Sequence, residues 1–84
     1  MKVVYLARLR EAFGRSEERL TLSEHDGVTV ADVIAQLRAR GGVWATELAT
    51  GRAFRVAVNH TMASPDTAVR AGDEVALLPP VTGG

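Results

Sequence analysis

The sequence predicts an α+β fold in which one main helix packs on one face of a mixed sheet of four to five strands. Three observations carry this prediction. Four short segments have the apolar content or the alternation that is typical of strands. One longer segment repeats its apolar residues at helical spacing. The chain has 84 residues, 46% of them hydrophobic and 24% charged, which is the composition of one globular domain with one core.

The beginning of the chain predicts two paired strands. Residues 2–9 are rich in valine, tyrosine and leucine, and they predict a strand that is central in its sheet or covered on both faces. Residues 18–23 alternate polar and apolar side chains and predict a second, half-buried strand. Phe13 and Gly14 predict a turn between the two segments, so we expect the strands to form a hairpin.

The middle of the chain predicts the main helix. Thr29 is followed three residues later by Asp32, a spacing that resembles a capping box and predicts that a helix begins here. The apolar residues after it fall at helical spacing and form one stripe: Val30, Val33, Ile34 and Leu37. Gly41 and Gly42 predict the end of this helix, because glycine readily takes the left-handed geometry of a C-cap. Residues 43–50 predict a short second helix.

The second half of the chain predicts the remaining strands. Residues 54–58 alternate and predict a third strand with one face toward the core, and Asn59 with His60 predicts the turn after it. Residues 74–78 predict the last strand. The order of elements is satisfied economically when the first and last strands lie parallel and adjacent at the centre of the sheet. This is a β-grasp arrangement.

Composition excludes several classes of partner. Ten basic residues balance ten acidic ones, so the positive charge that a nucleic-acid-binding surface carries is missing. The sequence has no cysteine, which excludes disulfides, thiolate metal sites and thiol nucleophiles. No apolar stretch approaches the roughly 20 residues that span a bilayer. We therefore expect a cytoplasmic protein with no nucleic-acid and no membrane partner.

The body of the domain predicts no catalytic or metal site. His25 and His60 lie far apart in the sequence and are interpreted as loop residues rather than as metal ligands. The acidic pairs at 17–18 and 73–74 are interpreted as solvated residues of turns and strand starts. We expect no metal and no cofactor to be bound by this chain.

The end of the chain is its most informative part. Pro79 and Pro80 end the last strand because neither can donate to a ladder, which predicts a domain over residues 1–78 and a flexible tail over residues 79–84. The tail can extend about 3 Å per residue, so its carboxylate can reach nearly 20 Å from the domain. A floppy end without function is the alternative interpretation of this segment.

The diglycine at this end suits chemistry on the carboxylate. A terminal α-carboxyl has a reference pKa of about 3.3–3.7 and is an ionised oxygen nucleophile at neutral pH. It can attack a nucleoside triphosphate held by another protein, which gives a mixed anhydride. Glycine at position 84 presents no Cβ to block an incoming sulfur nucleophile. Gly83 and Gly84 together also pass through a narrow slot.

These residues carry a resemblance to a known family over essentially the whole chain. The matching segments are residues 3–11, 29–33, 58–59, 72–75 and 79–84, of which the last two are the most specific. With them the chain resembles the small subunit of molybdopterin synthase, the MoaD-type sulfur carrier of molybdenum-cofactor biosynthesis.

The resemblance implies a ubiquitin-like β-grasp fold and a role as a non-catalytic carrier subunit of the sulfurtransferase complex. It implies that an E1-like activating enzyme, using ATP and magnesium, adenylates Gly84, with Gly83 as its steric companion. A sulfur donor such as a cysteine desulfurase or a rhodanese then yields the thiocarboxylate. The large synthase subunit supplies the catalytic side chains and receives the inserting tail, which delivers sulfur to cyclic pyranopterin monophosphate. The implied partner-binding residues are Leu78, Pro79, Pro80, Val81 and Thr82.

Other functions remain open at this point. Sulfur carriers for thiamine synthesis or tRNA thiolation and ubiquitin-like protein modifiers also end in diglycine, although the double proline Pro79–Pro80 weighs against the thiamine type. An interaction module with an unreactive end is a further alternative. We also expect Ala57, Ala76 and Leu78 to face outward and to form an apolar patch for a partner.

Overall fold

The computed structural model describes residues 1–21, 28–49 and 54–80. Its elements, in chain order, are β1 (Lys2–Tyr5), α1 (Ala7–Phe13), β2 (Glu17–Arg19), α2 (Val30–Arg38), α3 (Gly42–Glu47), β3 (Arg55–Val58), β4 (Thr61–Met62) and β5 (Glu74–Leu78). The end of the predicted second strand at 22–23, His25 and the tail residues 81–84 lie outside the described residues. Within the described ranges, every helix is too short or too polar to cross a membrane.

The strands form one five-stranded mixed sheet in the order β2-β1-β5-β3-β4. β1 and β5 run parallel, and every other neighbouring pair is antiparallel. The predicted α+β, β-grasp architecture is therefore confirmed, with β5 at the centre of the sheet. Because β5 is the last strand, the chain leaves the sheet from its central strand, which is paired with a neighbour on both sides.

The core lies between α2 and one face of the sheet. The predicted stripe of α2 is buried throughout, with exposed fractions between 0% and 8%: Val30, Val33, Ile34 and Leu37. The sheet face opposite is fully buried at Val3, Tyr5, Val75 and Leu77. The capping box is confirmed, since the backbone N–H of Thr29 donates to Asp32 Oδ2 at 2.8 Å and that of Asp32 donates to Thr29 Oγ1 at 3.4 Å.

The connection between the first two strands is a helix, not the predicted turn. β1 ends at Tyr5, so the prediction of a strand as far as residue 9 was wrong. Leu9 and Phe13 are both buried and stand four residues apart, which is helical spacing, and this burial decides the local conformation. Gly14, at φ 71°, ends the helix with its N–H donating to Arg10 O. β1 and β2 do pair antiparallel, as predicted.

The two predicted glycines separate two helices. α2 ends at Arg38 with Ala39 as its C-cap, and Gly41 is the N-cap of α3, so the predicted short second helix is confirmed. Gly41 and Gly42 have φ values of 76° and 54°, the left-handed geometry expected of them. The strand β4 follows the predicted turn at 59–60 and was not itself predicted.

Candidate functional site

β5 fixes the point at which the tail leaves the domain. It lies between β1 and β3, with Tyr5 opposite Leu77 on one side and Arg55 opposite Leu78 on the other. Leu77 is fully buried, and its carbonyl accepts the N–H of Leu6 at 3.1 Å. Pro79 follows Leu78, the last residue of β5, and lies outside the strand. The root of the tail is therefore held by both neighbouring strands and by the core.

The start of β5 is held by the turn after β3. Asn59 sits in the left-handed region at φ 50°, and its Oδ1 accepts the backbone N–H of Glu74 at 3.0 Å. Its Nδ2 donates to Asp73 Oδ1 at 3.1 Å, and its own N–H donates to Glu74 O at 2.8 Å. The backbone N–H of Arg70 donates to Asp73 Oδ2 at 2.8 Å. Asp73, predicted to be merely solvated, is thus part of a clamp at the start of the last strand.

This clamp shifts the titration of its carboxylate. The amide of Asn59, and after it the backbone N–H of Arg70, hold the pKa of the Asp73 carboxyl below its usual value. Both donors bind the charged form. The shift has a structural cause and points to no acid-base chemistry.

The face of the sheet away from α2 carries a small apolar strip beside the tail root. The strand register places Ala57 opposite both Ala76 and Met62, and puts Leu78 on the same face. The predicted patch of Ala57, Ala76 and Leu78 does share one face. However, Ala57 is only 7% exposed, whereas Met62 is 54% exposed. The accessible apolar surface is therefore supplied by Met62, Ala76 and Leu78.

Met62 is a contributor that the sequence analysis missed. It belongs to the two-residue strand β4, whose length is too short to show an alternating pattern. A hairpin signal was present at the turn Asn59–His60, where both residues have positive φ, at 50° and 69°. Such a turn predicts a strand on each side of it, and therefore a strand at Thr61–Met62.

Charged residues line the strip at its end farthest from the tail. Lys2 Nζ lies 3.4 Å from Glu17 Oε2 and 3.9 Å from Glu74 Oε1. His60 Nε2 lies 3.5 Å from Glu74 Oε2. An apolar centre with a charged rim is the usual anatomy of a protein-protein contact surface.

A groove opens on the other side of the tail root. It has a volume of about 600 Å³, lies between α2 and the β3–β4 hairpin, and includes Pro80 in its wall. Most of the lining is apolar, with Ile34, Phe54 and Val56 among it. Arg38 and Arg55 bring positive charge to the same wall.

The most perturbed ionisable groups lie in a cluster that links β1, β2 and the C-terminal side of α2. Glu18 receives the Tyr5 hydroxyl at 2.7 Å and two guanidinium nitrogens of Arg40 at 2.9 and 2.6 Å. Arg40 also lies 4.5 Å from the centre of the Trp44 ring, which stacks on Phe13 at 3.9 Å. The interpretation of Glu18 as a solvated residue was wrong, since its side chain is only 12% exposed.

These contacts account for the shifted pKa values in the cluster. The Arg40 hydrogen bonds lower the pKa of the Glu18 carboxyl, against the opposing effect of burial. Burial, and then the hydrogen bond to Glu18, raises the pKa of the Tyr5 hydroxyl well above its ordinary value. Each polar group is satisfied by another member of the cluster. We call the cluster of Tyr5, Glu18 and Arg40 the latch, because its hydrogen bonds join β1, β2 and the segment after α2. Perturbed ionisable groups often mark an acid-base site, but here their role is structural.

Only part of the predicted site falls within the described residues. Leu78, Pro79 and Pro80 are half-buried at the tail root, where both the apolar strip and the groove begin. Val81, Thr82, Gly83 and Gly84 lie outside the described residues and stay predictions. Across residues 1–21, 28–49 and 54–80, no three His, Asp or Glu side chains come together in a metal-ligating group.

Comparison with known proteins places the chain in a family. A sequence profile of the ThiS family matches residues 3–84. The chain belongs to the ThiS family. This ThiS-family chain is 38% identical over 84 residues to the molybdopterin synthase sulfur carrier subunit of Haemophilus influenzae, a match that covers all of this chain and 99% of the relative. The predicted resemblance is thereby confirmed.

Two solved structures share the fold of this ThiS-family chain. A putative molybdopterin converting factor, subunit 1, from Pyrococcus furiosus has a TM-score of 0.78 and 31% identity, with 95% of each chain covered. SAMP1 from Haloferax volcanii has a TM-score of 0.77 and 30% identity, with 99% of this chain and 97% of that chain covered. The ubiquitin-like β-grasp fold is thus common to all three.

Proposed function

We propose that this chain is the sulfur carrier subunit of a molybdopterin synthase. The observation that carries the proposal is the full-length similarity to a subunit of that name. In this chain the central strand β5 is followed by Pro79–Pro80, and the sequence ends in Gly83–Gly84. In this function the reactive group is the carboxylate of Gly84. The folded domain is the part that other proteins bind in order to position this carboxylate.

The chemistry proceeds in two stages, adenylation of the terminal carboxylate and transfer of sulfur to it. A carboxylate oxygen of Gly84 attacks the α-phosphorus of ATP, an O–P bond forms, and pyrophosphate leaves. The outer sulfur of a donor persulfide then attacks the carbonyl carbon, and AMP leaves with its bonding electrons. A second thiol of the donor attacks the donor's cysteine sulfur in the resulting acyl disulfide, so the S–S bond breaks, the donor is left as a disulfide, and the terminus is released as a thiocarboxylate. ATP and magnesium are used by the activating enzyme, and a cysteine desulfurase or rhodanese serves as the donor. This use of ATP fits the cytoplasmic location expected from the sequence.

The second partner is the large synthase subunit. It takes up residues 79–84 and supplies the catalytic side chains, and the thiocarboxylate sulfur is delivered there to cyclic pyranopterin monophosphate. Met62, Ala76 and Leu78 support this step, since they place accessible apolar surface beside the tail root. A partner that covers this strip and threads the tail gains burial and positioning from one continuous surface.

The test is mass spectrometry of the intact chain. After incubation with a cognate activating enzyme, ATP and a sulfur donor, we expect the mass to shift by one oxygen-to-sulfur exchange. A chain extended by one residue after Gly84 serves as the matched control. It keeps the domain, but its terminal carboxylate no longer belongs to Gly84. We expect it to melt as the natural chain does and to stay unmodified. If a variant lacking both final glycines still supports pterin sulfuration, the proposal fails.

A protein-modifier function is the second candidate. It is favoured by the similarity to SAMP1, a small archaeal modifier protein, at 30% identity over 99% of this chain. In that function the activated carboxyl forms isopeptide bonds with lysines of other proteins. The same incubation in a cell extract separates the candidates, since a modifier gives high-mass conjugates. Sulfur carriage for thiamine or tRNA thiolation is separated by supplying each acceptor to the loaded carrier.

A further inference from the structure

The groove between α2 and the β3–β4 hairpin has the size of a binding site. Its volume is about 600 Å³, within the range of about 300–1,000 Å³ that is typical of ligand sites. α2 forms one wall, and residues 62–65 of the hairpin and the following turn form the other. The strip of Met62, Ala76 and Leu78 lies on the other face of the sheet, so the groove is a second surface, with Met62 at the border between the two.

The charge in the lining of this groove has one sign. Its described lining residues include Arg38 and Arg55 but no Asp or Glu. The whole chain has ten basic and ten acidic residues, so the groove is a local concentration of positive charge. Among the described residues, the guanidinium of Arg55 has no hydrogen-bond or ion-pair partner. A guanidinium binds a carboxylate through two parallel hydrogen bonds, so the lining favours an occupant that carries carboxylates.

The edge of β3 beside the groove is open at its N-terminal end. β4 pairs only with Ala57 and Val58. One further bond follows, from the Ala63 N–H to Val56 O at 2.9 Å, and the chain then turns toward α2, whose first N–H donates to Thr67 O. In the part of the chain that the structure describes, no strand pairs with the start of β3 on this side. An extended segment can therefore add to the sheet here and place alternate side chains in the groove.

We propose that this groove binds an extended segment of a partner protein, in which apolar side chains are flanked by Asp or Glu. The apolar side chains pack on Ile34, Phe54 and Val56, and the carboxylates pair with Arg55, while Arg38 adds to the positive potential of the wall. The backbone of the segment pairs with the open edge of β3. The inference goes beyond the proposed function, because it requires no reaction at the chain end.

The test is a selection from a displayed library of random twelve-residue peptides on the immobilised full chain. Ala31→Trp fills the groove, since Ala31 is an exposed residue of its α2 wall. Gln36→Trp is the matched control, because Gln36 is exposed on the same helix, outside the described lining, and about 140° around the helix from Ala31. Arg55→Glu reverses a charge of the groove, and Arg19→Glu makes the same change on the far edge strand β2.

We expect peptides that bind the natural chain, Gln36→Trp and Arg19→Glu but not Ala31→Trp, and we expect them to be enriched in Asp and Glu beside apolar residues. The most enriched peptide, labelled for fluorescence anisotropy, should bind Arg55→Glu about five- to ten-fold more weakly than the natural chain, because one ion pair is replaced by a repulsion. High salt should weaken its binding to the natural chain, since ions screen exposed charges. Thermal melting checks that each variant is folded. If Ala31→Trp does not fold, the comparison of Arg55→Glu with Arg19→Glu decides.

Several results would overturn the inference. One is a selection in which no peptide distinguishes Ala31→Trp from Gln36→Trp, or in which the distinguishing peptides lack acidic residues. Equal binding by Arg55→Glu and Arg19→Glu is another. Nuclear Overhauser contacts between the methyl groups of Val81 and Ile34 in the free chain would show that the chain end itself fills the groove. A natural chain that elutes as a dimer, with Ala31→Trp as a monomer, would show that a second copy does.

This test is independent of the proposed function. It uses neither ATP nor an activating enzyme, so peptide binding and thiocarboxylate formation are measured separately. A chain that acquires the thiocarboxylate but selects no acidic peptide counts against the groove site alone. A chain that selects such peptides but is never loaded with sulfur counts against the sulfur carrier function alone.

Discussion

Replacement of Asn59 by alanine tests whether the turn after β3 stabilises the central strand β5 and has no part in the reaction. The side chain of Asn59 makes two hydrogen bonds, to the N–H of Glu74 and to the carboxylate of Asp73. At exposed sites such bonds contribute about 0.5–1.5 kcal/mol each. Alanine at φ 50° adds a left-handed penalty of about 1 kcal/mol, which asparagine partly avoids. We expect Asn59→Ala to lower the free energy of unfolding by about 2–4 kcal/mol.

Asn59→Gly is the matched control. Glycine loses the same two hydrogen bonds but takes positive φ without strain, so it should be more stable than the alanine variant by about 1 kcal/mol. Urea unfolding followed by the fluorescence of Trp44, the single tryptophan, measures both changes. If the two variants unfold at the same urea concentration, the backbone part of the reasoning is refuted. If Asn59→Ala unfolds like the natural chain, the hydrogen-bond part is refuted as well.

The same variant separates stability from function. The clamp lies at the start of β5, and the reactive terminus lies beyond its other end. Below its melting temperature, Asn59→Ala should therefore be loaded with sulfur as the natural chain is. A folded variant that is not loaded would show that Asn59 acts on the reaction and not only on the fold.

Three further predictions follow from the capping box, the latch and the shifted carboxyl groups. Thr29→Ala removes the N-cap of α2 and should destabilise the domain by about 1 kcal/mol in a thermal melt, whereas Thr29→Ser should be near neutral. Glu18→Gln should lower the pKa of Tyr5, since the carboxylate both accepts its proton and repels the phenolate; absorbance titration of this single tyrosine measures it, and an unchanged titration would contradict the latch. The pKa values of Glu18 and Asp73 are both lowered by folding, so their contribution to stability is present above the unfolded values of about 4.3 and 3.9 and is lost as pH falls through the folded values. Chemical denaturation at a series of pH values below 5 should show this loss, and in Glu18→Gln the loss should be smaller.

Local patterns were sufficient for several elements. The stripe of α2 and its capping box need only neighbouring residues, and both are found as predicted, with Thr29 as the N-cap and Leu37 fully buried. Pro79 and Pro80 similarly end β5 at Leu78 because proline cannot donate to a ladder. The parallel, adjacent placement of the first and last strands then followed from the order of element types, because few topologies connect them economically.

Short apolar segments were beyond the reach of such patterns. Residues 6–13 have apolar side chains that fit either a strand or a helix, and the burial of Leu9 and Phe13 against the core selects the helix. β4 is two residues long, so Met62 shows no periodicity of its own. In both cases the deciding energy comes from contacts with distant parts of the chain.

The sequence by itself determined the fold class, the main helix and the central, parallel pairing of the first and last strands, because short-range patterns and the order of the elements are sufficient for these. It also predicts the chain end as the place of the chemistry. Only the tertiary structure decided which side chains meet. Glu18 reaches Arg40 across 22 residues, Asn59 reaches Glu74 across 15, and Arg55 comes to lie opposite Leu78. Strand register and helix packing bring these residues together, and no local pattern encodes the distance between segments that meet only when the core forms.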